Sequence, residues 1–126
     1  MDLTRILLVG AGGFLGSIAR YVMVKLVDAR LSQSFPFGTF TVNVLGCFLI
    51  GLIVGIVGRH ANGSDAWRVF LGVGFCGGFT TFSAFALENH NLLIDRLLST
   101  AVLYMAVSVL AGIVAVFLGL WGSRFL

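Results

Sequence analysis

The spacing of charges limits this chain more than any other feature. Four long stretches carry almost none. The first runs from Ile6 to Ala19 and continues past Arg20 to about Leu26. The second lies between Arg30 and Arg59, the third runs from Val69 to Leu87, and the fourth from Leu97 to Ser123. A helix rises about 1.5 Å per residue and the hydrocarbon core of a bilayer is about 30 Å thick, so about 20 apolar residues suffice to cross it. Each stretch is long enough. The predicted spans are residues 5–27, 36–58, 67–88 and 96–122, with Pro36 a natural start for the second. The expected fold class is therefore an all-α membrane protein. It forms a single four-helix transmembrane domain over residues 1–126 and passes several times through the cell membrane.

Composition supports this and removes other classes. Charged residues make up 10% of the chain and apolar residues 59%, with a mean hydropathy of +1.07. A soluble domain carries about 25% charged residues, and one this small has a large surface to cover. The net charge is +3, from 8 basic and 5 acidic residues. Eight scattered Lys and Arg do not form a phosphate-binding stripe, so no nucleic-acid partner is expected. The basic balance suits anionic lipid headgroups. Cys47 and Cys76 sit in apolar runs without metal-ligand spacing and read as small buried residues. Arg5 precedes an apolar stretch, but glycines break it and three more spans follow, so signal-peptide cleavage is not expected. Four thin helices hardly enclose a pathway alone, so a transport function calls for an oligomer.

The connections read as residues 28–34, 59–65 and 88–96. Glu88, Asn89, His90 and Asn91 are read as solvated residues at a span end rather than as a metal or acid–base site. The first and third connections share one side, with Lys25, Arg30, Arg96 and, if it faces that way, Arg20. The termini and second connection share the other, with Arg5, Arg59, Arg68 and Arg124. The Lys/Arg bias that sets orientation is nearly absent. Either three further signals fix the topology weakly, or the protein inserts both ways and pairs antiparallel, an inverted repeat made from two chains.

Gly12 and Gly16, and Gly51 and Gly55, form G-x-x-x-G pairs that read as helix contact faces. Gly10, Gly13 and Gly16 followed by Asp28 imitate a dinucleotide-binding turn, but that motif needs a βαβ setting. Three apolar runs stand there instead.

Polar residues inside spans are costly and so informative. Thr39 and Asn43 share one helical face of the second span, and Asn43 offers two N–H donors and one acceptor. Its plainer reading is a hydrogen bond between helices. Tyr104, Ser108 and Gly112 share a face of the fourth span; the plainer reading of Ser108 is a bond to its own backbone four residues back. In the third span the Gly77-Gly78 and Thr80-Thr81 pairs predict a broken helix. Non-helical backbone at that depth survives only when buried in protein or facing a cavity. Its freed carbonyls suit a small hard cation. Phe82 and Phe85 share a face beyond the break, and the positive edges of their rings can favour an anion.

Three segments carry a resemblance: Gly12-Gly13-x-x-Gly16-x-x-x-Arg20, Pro36-Phe37-Gly38-Thr39-x-x-Val42-Asn43-x-x-Gly46, and Gly74 through Ser83 with its Gly-Gly-x-Thr-Thr-Phe-Ser core. Across essentially its whole length the chain resembles the CrcB/Fluc fluoride channels. The resemblance implies passive fluoride export that protects the cell, through an antiparallel, dual-topology homodimer with two pathways and a structural sodium ion at its interface. It implies that the Gly77 and Thr80 carbonyls hold the sodium. It also implies that Asn43, Thr81, Phe82, Ser83, Phe85, Tyr104 and Ser108 line the fluoride pathway, and that Arg20 stands in the vestibule. The family commonly carries small hydroxyl residues where this chain has Ala84, Ala86 and Gly112, which bears on the continuity of the polar track. No catalytic residue is implied, and the chain is not expected to be an enzyme. The competing reading is a small dual-topology multidrug/proton exporter, whose chemistry needs an acid deep in a span.

Overall fold

The computed structural model describes residues 2–32, 34–59 and 65–126. Most of the second predicted connection, residues 60–64, lies outside the described residues, as do Met1 and Gln33. Four helical stretches are long and apolar enough to cross a membrane: Leu3–Asp28, Phe37–Arg59, Asp65–Ile94 and Leu98–Phe125. The first is α1 (Leu3–Asp28) and the second α2 (Phe37–Arg59). The third crossing is composite. It opens with a turn, α3 (Asp65–Trp67), continues as a π-helix over Arg68–Cys76, and returns to α-geometry in α4 (Gly77–Phe79). Thr80 and Thr81 are extended, and α5 (Phe82–Ile94) begins beyond them. The fourth is α6 (Leu98–Gly122), closed by a 3-10 turn over Ser123–Phe125.

Caps set the ends. Asp2 accepts the Thr4 N–H at 3.0 Å and starts α1. Asp28, the last residue of α1, reaches across the turn and accepts the Gly38 N–H at 3.0 Å. It thereby satisfies one of the orphan donors at the start of α2. The residue that imitated a ribose-binding acid is thus a helix cap, and its glycines lie inside a continuous helix. At the other end of the third crossing, Arg96 takes a left-handed φ of 60° and the Leu97 N–H bonds the Leu92 carbonyl at 2.8 Å. This is the wrapped helix end usually made with glycine.

The core is thin. Val42, Phe79, Ala101, Tyr104 and Ala115 are among its buried members, whereas Leu7, Phe14, Phe117 and Trp121 face outward. An apolar exterior is what a lipid-facing surface requires. α2 packs along α6, and α1 along the π-helix. Both contacts are close because glycine removes the side chain between backbones. A Cβ on Gly12 would strike the Phe70 carbonyl oxygen, and one on Gly51 the Val116 carbonyl oxygen. Gly16 and Gly55 are equally tight, so both G-x-x-x-G pairs are contact faces.

Two expectations need correction. The third crossing does not turn to loop at Glu88, because α5 stays helical to Ile94. The break itself falls on Thr80-Thr81, while Gly77 and Gly78 remain helical. The threonines leave the helix because each has somewhere to send its polar groups. Thr80 returns its N–H and its hydroxyl to the Cys76 carbonyl at 3.0 and 2.9 Å. Thr81 caps α5 by accepting the Ala84 N–H at 3.2 Å.

Candidate functional site at the broken helix

The side chain of Asn43 holds the backbone of Thr81 at the break. Asn43, one turn beyond Thr39 on α2, accepts the Thr81 N–H on Oδ1 at 2.7 Å and donates Nδ2 to the Thr81 carbonyl at 2.9 Å. The amide thus takes both backbone groups of the residue that leaves the helix. Such groups would otherwise be unpaired at membrane depth. This clasp also frees a group upstream. The helical partner of the Gly77 carbonyl would be the Thr81 N–H, and Asn43 has taken it. Asn43, Gly77, Thr80, Thr81 and Phe82 line one open concavity of about 370 Å³. Phe82 is 80% exposed beside it, although it is a large aromatic at the start of a helix. The N-terminus of α5, with first-turn N–H groups lacking helical partners, also faces this break.

A second cluster lies further along α5. Glu88 accepts the Thr39 hydroxyl at 2.6 Å on one carboxylate oxygen and the Tyr104 hydroxyl at 2.7 Å on the other. Hydroxyls from α2 and α6 thus converge on α5. The Tyr104 ring is fully buried, 5.1 Å from the Phe85 ring and 5.1 Å from Phe35. Phe85 stands 5.7 Å from Phe82, so the aromatic rings run from the open concavity to the Glu88 cluster. A second hollow of about 410 Å³, lined by Asp28, Phe35, Glu88 and Asp95 among others, lies beside the cluster.

Residues 7–120 match the family described as "CrcB-like protein, Camphor Resistance (CrcB)". The chain belongs to the CrcB family. A protein of Chlorobium chlorochromatii (strain CaD3) is 48% identical over 121 residues, covering 96% of this chain and 93% of its own. One of Caulobacter vibrioides (strain NA1000 / CB15N) is 45% identical over 123 residues, covering 97% of each. Both are named "Fluoride-specific ion channel FluC". This CrcB chain is a multi-pass membrane protein.

Within this CrcB chain the predicted site residues fall into different surroundings. Asn43, Thr81, Phe82, Gly77 and Thr80 come together at the break. Ser83 joins them through a 3.3 Å hydroxyl contact with Thr81. Arg20, half-buried on α1, directs Nη1 to the Thr80 carbonyl at 3.5 Å. Tyr104 and Phe85 belong instead to the Glu88 cluster, and the single proton of the Tyr104 hydroxyl is committed to Glu88. Ser108 is half-buried, and its hydroxyl oxygen is buried with no hydrogen-bond partner, so the bond to its own backbone is not made. A buried unpaired hydroxyl is rare and points to an absent partner. Gly112, one turn on, faces Cys47, whose sulfur is 3.3 Å from where a Cβ would stand.

Glu88 is the residue that sequence reading misplaced. It is neither in a loop nor fully solvated, and the neighbouring Asn89 is only 6% exposed. Asn89 donates to the Phe85 carbonyl at 2.9 Å and leaves its Oδ1 unpaired. One signal in the sequence could have found it. A helix restarted at Phe82 has risen only about 9 Å by Glu88, too little to finish the crossing.

Proposed function

We propose that this chain is a passive, fluoride-selective ion channel of the cell membrane rather than an enzyme. It exports fluoride and thereby protects the cell. The observation that carries the reading is the break at Thr80-Thr81. Uncharged donors and an exposed phenyl ring gather there around one open concavity. The names of the close relatives point the same way.

Fluoride is the smallest halide and holds its water most tightly. A narrow path must replace that water with donors that remain neutral, so that the ion is also released. Asn43 retains one amide N–H after binding Thr81. The Ser108 hydroxyl is wholly uncommitted. Thr81 and Ser83 present a hydroxyl pair, Phe82 and Phe85 present ring edges, and the start of α5 adds a partial positive charge without a cation. Tyr104 serves the path through its contact with Phe85 and by fixing Glu88. Arg20 draws anions towards the entrance.

The working unit is a pair of antiparallel copies with two pathways. An exposed Phe82 and an open concavity midway along the third crossing are what a second copy would cover. The near-equal basic counts on the two sides suit insertion in both orientations. The same face fits a structural sodium ion. The Gly77 carbonyl has lost its helical partner, the Thr80 carbonyl lies outside the helix beside Arg20, and both residues line the concavity. Among the described residues no cluster of His, Cys, Asp and Glu offers a competing metal site. Two carbonyls per copy would hold the ion, and the ion when bound supplies a fixed positive charge tying the copies together.

The proton-coupled exporter needs a free carboxylate in a span. Glu88 is inside a helix, but both of its oxygens are held by hydroxyls of the same chain. Growth separates the two readings. Cells lacking their own fluoride defence are expected to regain growth in fluoride when given this chain, with no gain against cationic dyes. Protection against dyes alone would overturn the channel. Labelling of engineered end cysteines from both sides of the membrane tests dual topology, and labelling from one side only would remove it.

A further inference from the structure

Arg20 directs its charge at the break. On α1 it follows Gly12 and Gly16 at intervals of four, on one helical face. Those glycines lay α1 backbone to backbone on the third crossing, Gly12 at the Phe70 carbonyl and Gly16 at the Phe75 carbonyl and Phe79 nitrogen. The next residue of the stripe therefore lands where the first half of that crossing ends. Its guanidinium meets the Thr80 carbonyl at 3.5 Å. Among the described residues the ion pairs involve Arg5 with Asp2 and Asp65, and none involves Arg20. A helix C-terminus attracts cations, and this one has been given a tethered cation by its own chain.

We propose that Arg20 is a built-in competitor for the cation at the break and couples it to the anion entrance. The coupling rests on the sodium reading under Proposed function. With the guanidinium on Thr80, a sodium ion held by that carbonyl would meet a like charge and share the carbonyl with it. An anion that draws the guanidinium off Thr80 relieves both effects. Fluoride and sodium then favour each other's binding, by equal factors in each direction. Arg20 is a positioning residue here. An arginine that only attracts anions would leave sodium binding untouched.

The test is the thermal stabilisation of purified protein by sodium chloride over N-methylglucamine chloride at equal ionic strength, with and without fluoride. In the unsubstituted protein, fluoride is expected to lower the half-saturating sodium concentration. Arg20→Gln and Arg20→Met, which remove the charge at similar length, are expected to lower it roughly tenfold without fluoride and to abolish the fluoride effect. Sodium-specific stabilisation of the unsubstituted protein, with both variants unchanged or weaker in sodium, overturns the role of Arg20 and leaves the sodium site standing. No preference for sodium over N-methylglucamine in the unsubstituted protein overturns the sodium reading, and the coupling with it.

Discussion

On its α1 side the broken crossing rests on glycine; on its α2 and α6 side it hangs from hydrogen bonds. Gly12 and Gly16 leave no room for a methyl group between α1 and the π-helix, and polar side chains join α1 to the crossing at its start, through the Arg5–Asp65 ion pair, and at the break, through Arg20. Opposite, Asn43 clasps Thr81, and Thr39 and Tyr104 clasp Glu88. The first side fixes the chain up to Phe79 by shape. The second holds Thr81 and α5 by chemistry that has alternatives, since hydroxyls and amides can exchange partners. A helix interrupted inside a bilayer needs both: a wall that sets its position, and donors that satisfy the freed backbone without sealing the gap.

Substitutions can break that contrast. The largest effect is expected from Gly16→Val, which puts a branched side chain into backbone. Folded protein should be lost, at a cost of about 3 kcal/mol or more. Gly10→Ala, on the same helix with nothing within 4 Å of a new Cβ, should be neutral or gain up to ~1 kcal/mol. Thermal unfolding in detergent checks both, and similar losses would dissolve the distinction between wall and bystander. Next comes Asn43→Ala, which orphans two backbone groups at about 1–3 kcal/mol each and should also slow fluoride efflux. Asn43→Asp should keep the Thr81 N–H bond while opposing the Thr81 carbonyl, so it should not rescue flux. Thr39→Val and Glu88→Gln should each cost about 1 kcal/mol and couple in a double-mutant cycle. Additive losses would mean that the cluster is not a unit. The smallest effect is a gain. Arg96→Gly relieves a left-handed residue and should stabilise by about 1 kcal/mol in the same unfolding assay.

Much of this could be read from residue types alone, for physical reasons. Uncharged runs mark spans because burying a charge in lipid is expensive. The glycine pairs mark contacts because only glycine lets backbones touch. The Gly77-Gly78 and Thr80-Thr81 pairs together mark a break in the third span, and only the threonines leave the helix. Three things were hidden. The end of the third crossing was set at its first charge, Glu88, although a charge with two hydroxyl partners is tolerated within a helix. The π-helical register of Arg68–Cys76 leaves no trace in an apolar run, since it changes hydrogen-bond partners and not residue types. The division of Asn43, Phe82 and Thr81 from Tyr104 and Phe85 depends on which neighbours each side chain meets, and that is decided by packing.

The central claim is that neutral donors and ring edges at the break select the smallest halide. Liposomes holding the purified protein, loaded with equal fluoride and chloride and released by opening a potassium pathway, test it most directly. Rapid loss of fluoride with chloride retained is the predicted result. Release of both ions at equal rates, or of neither, would contradict it.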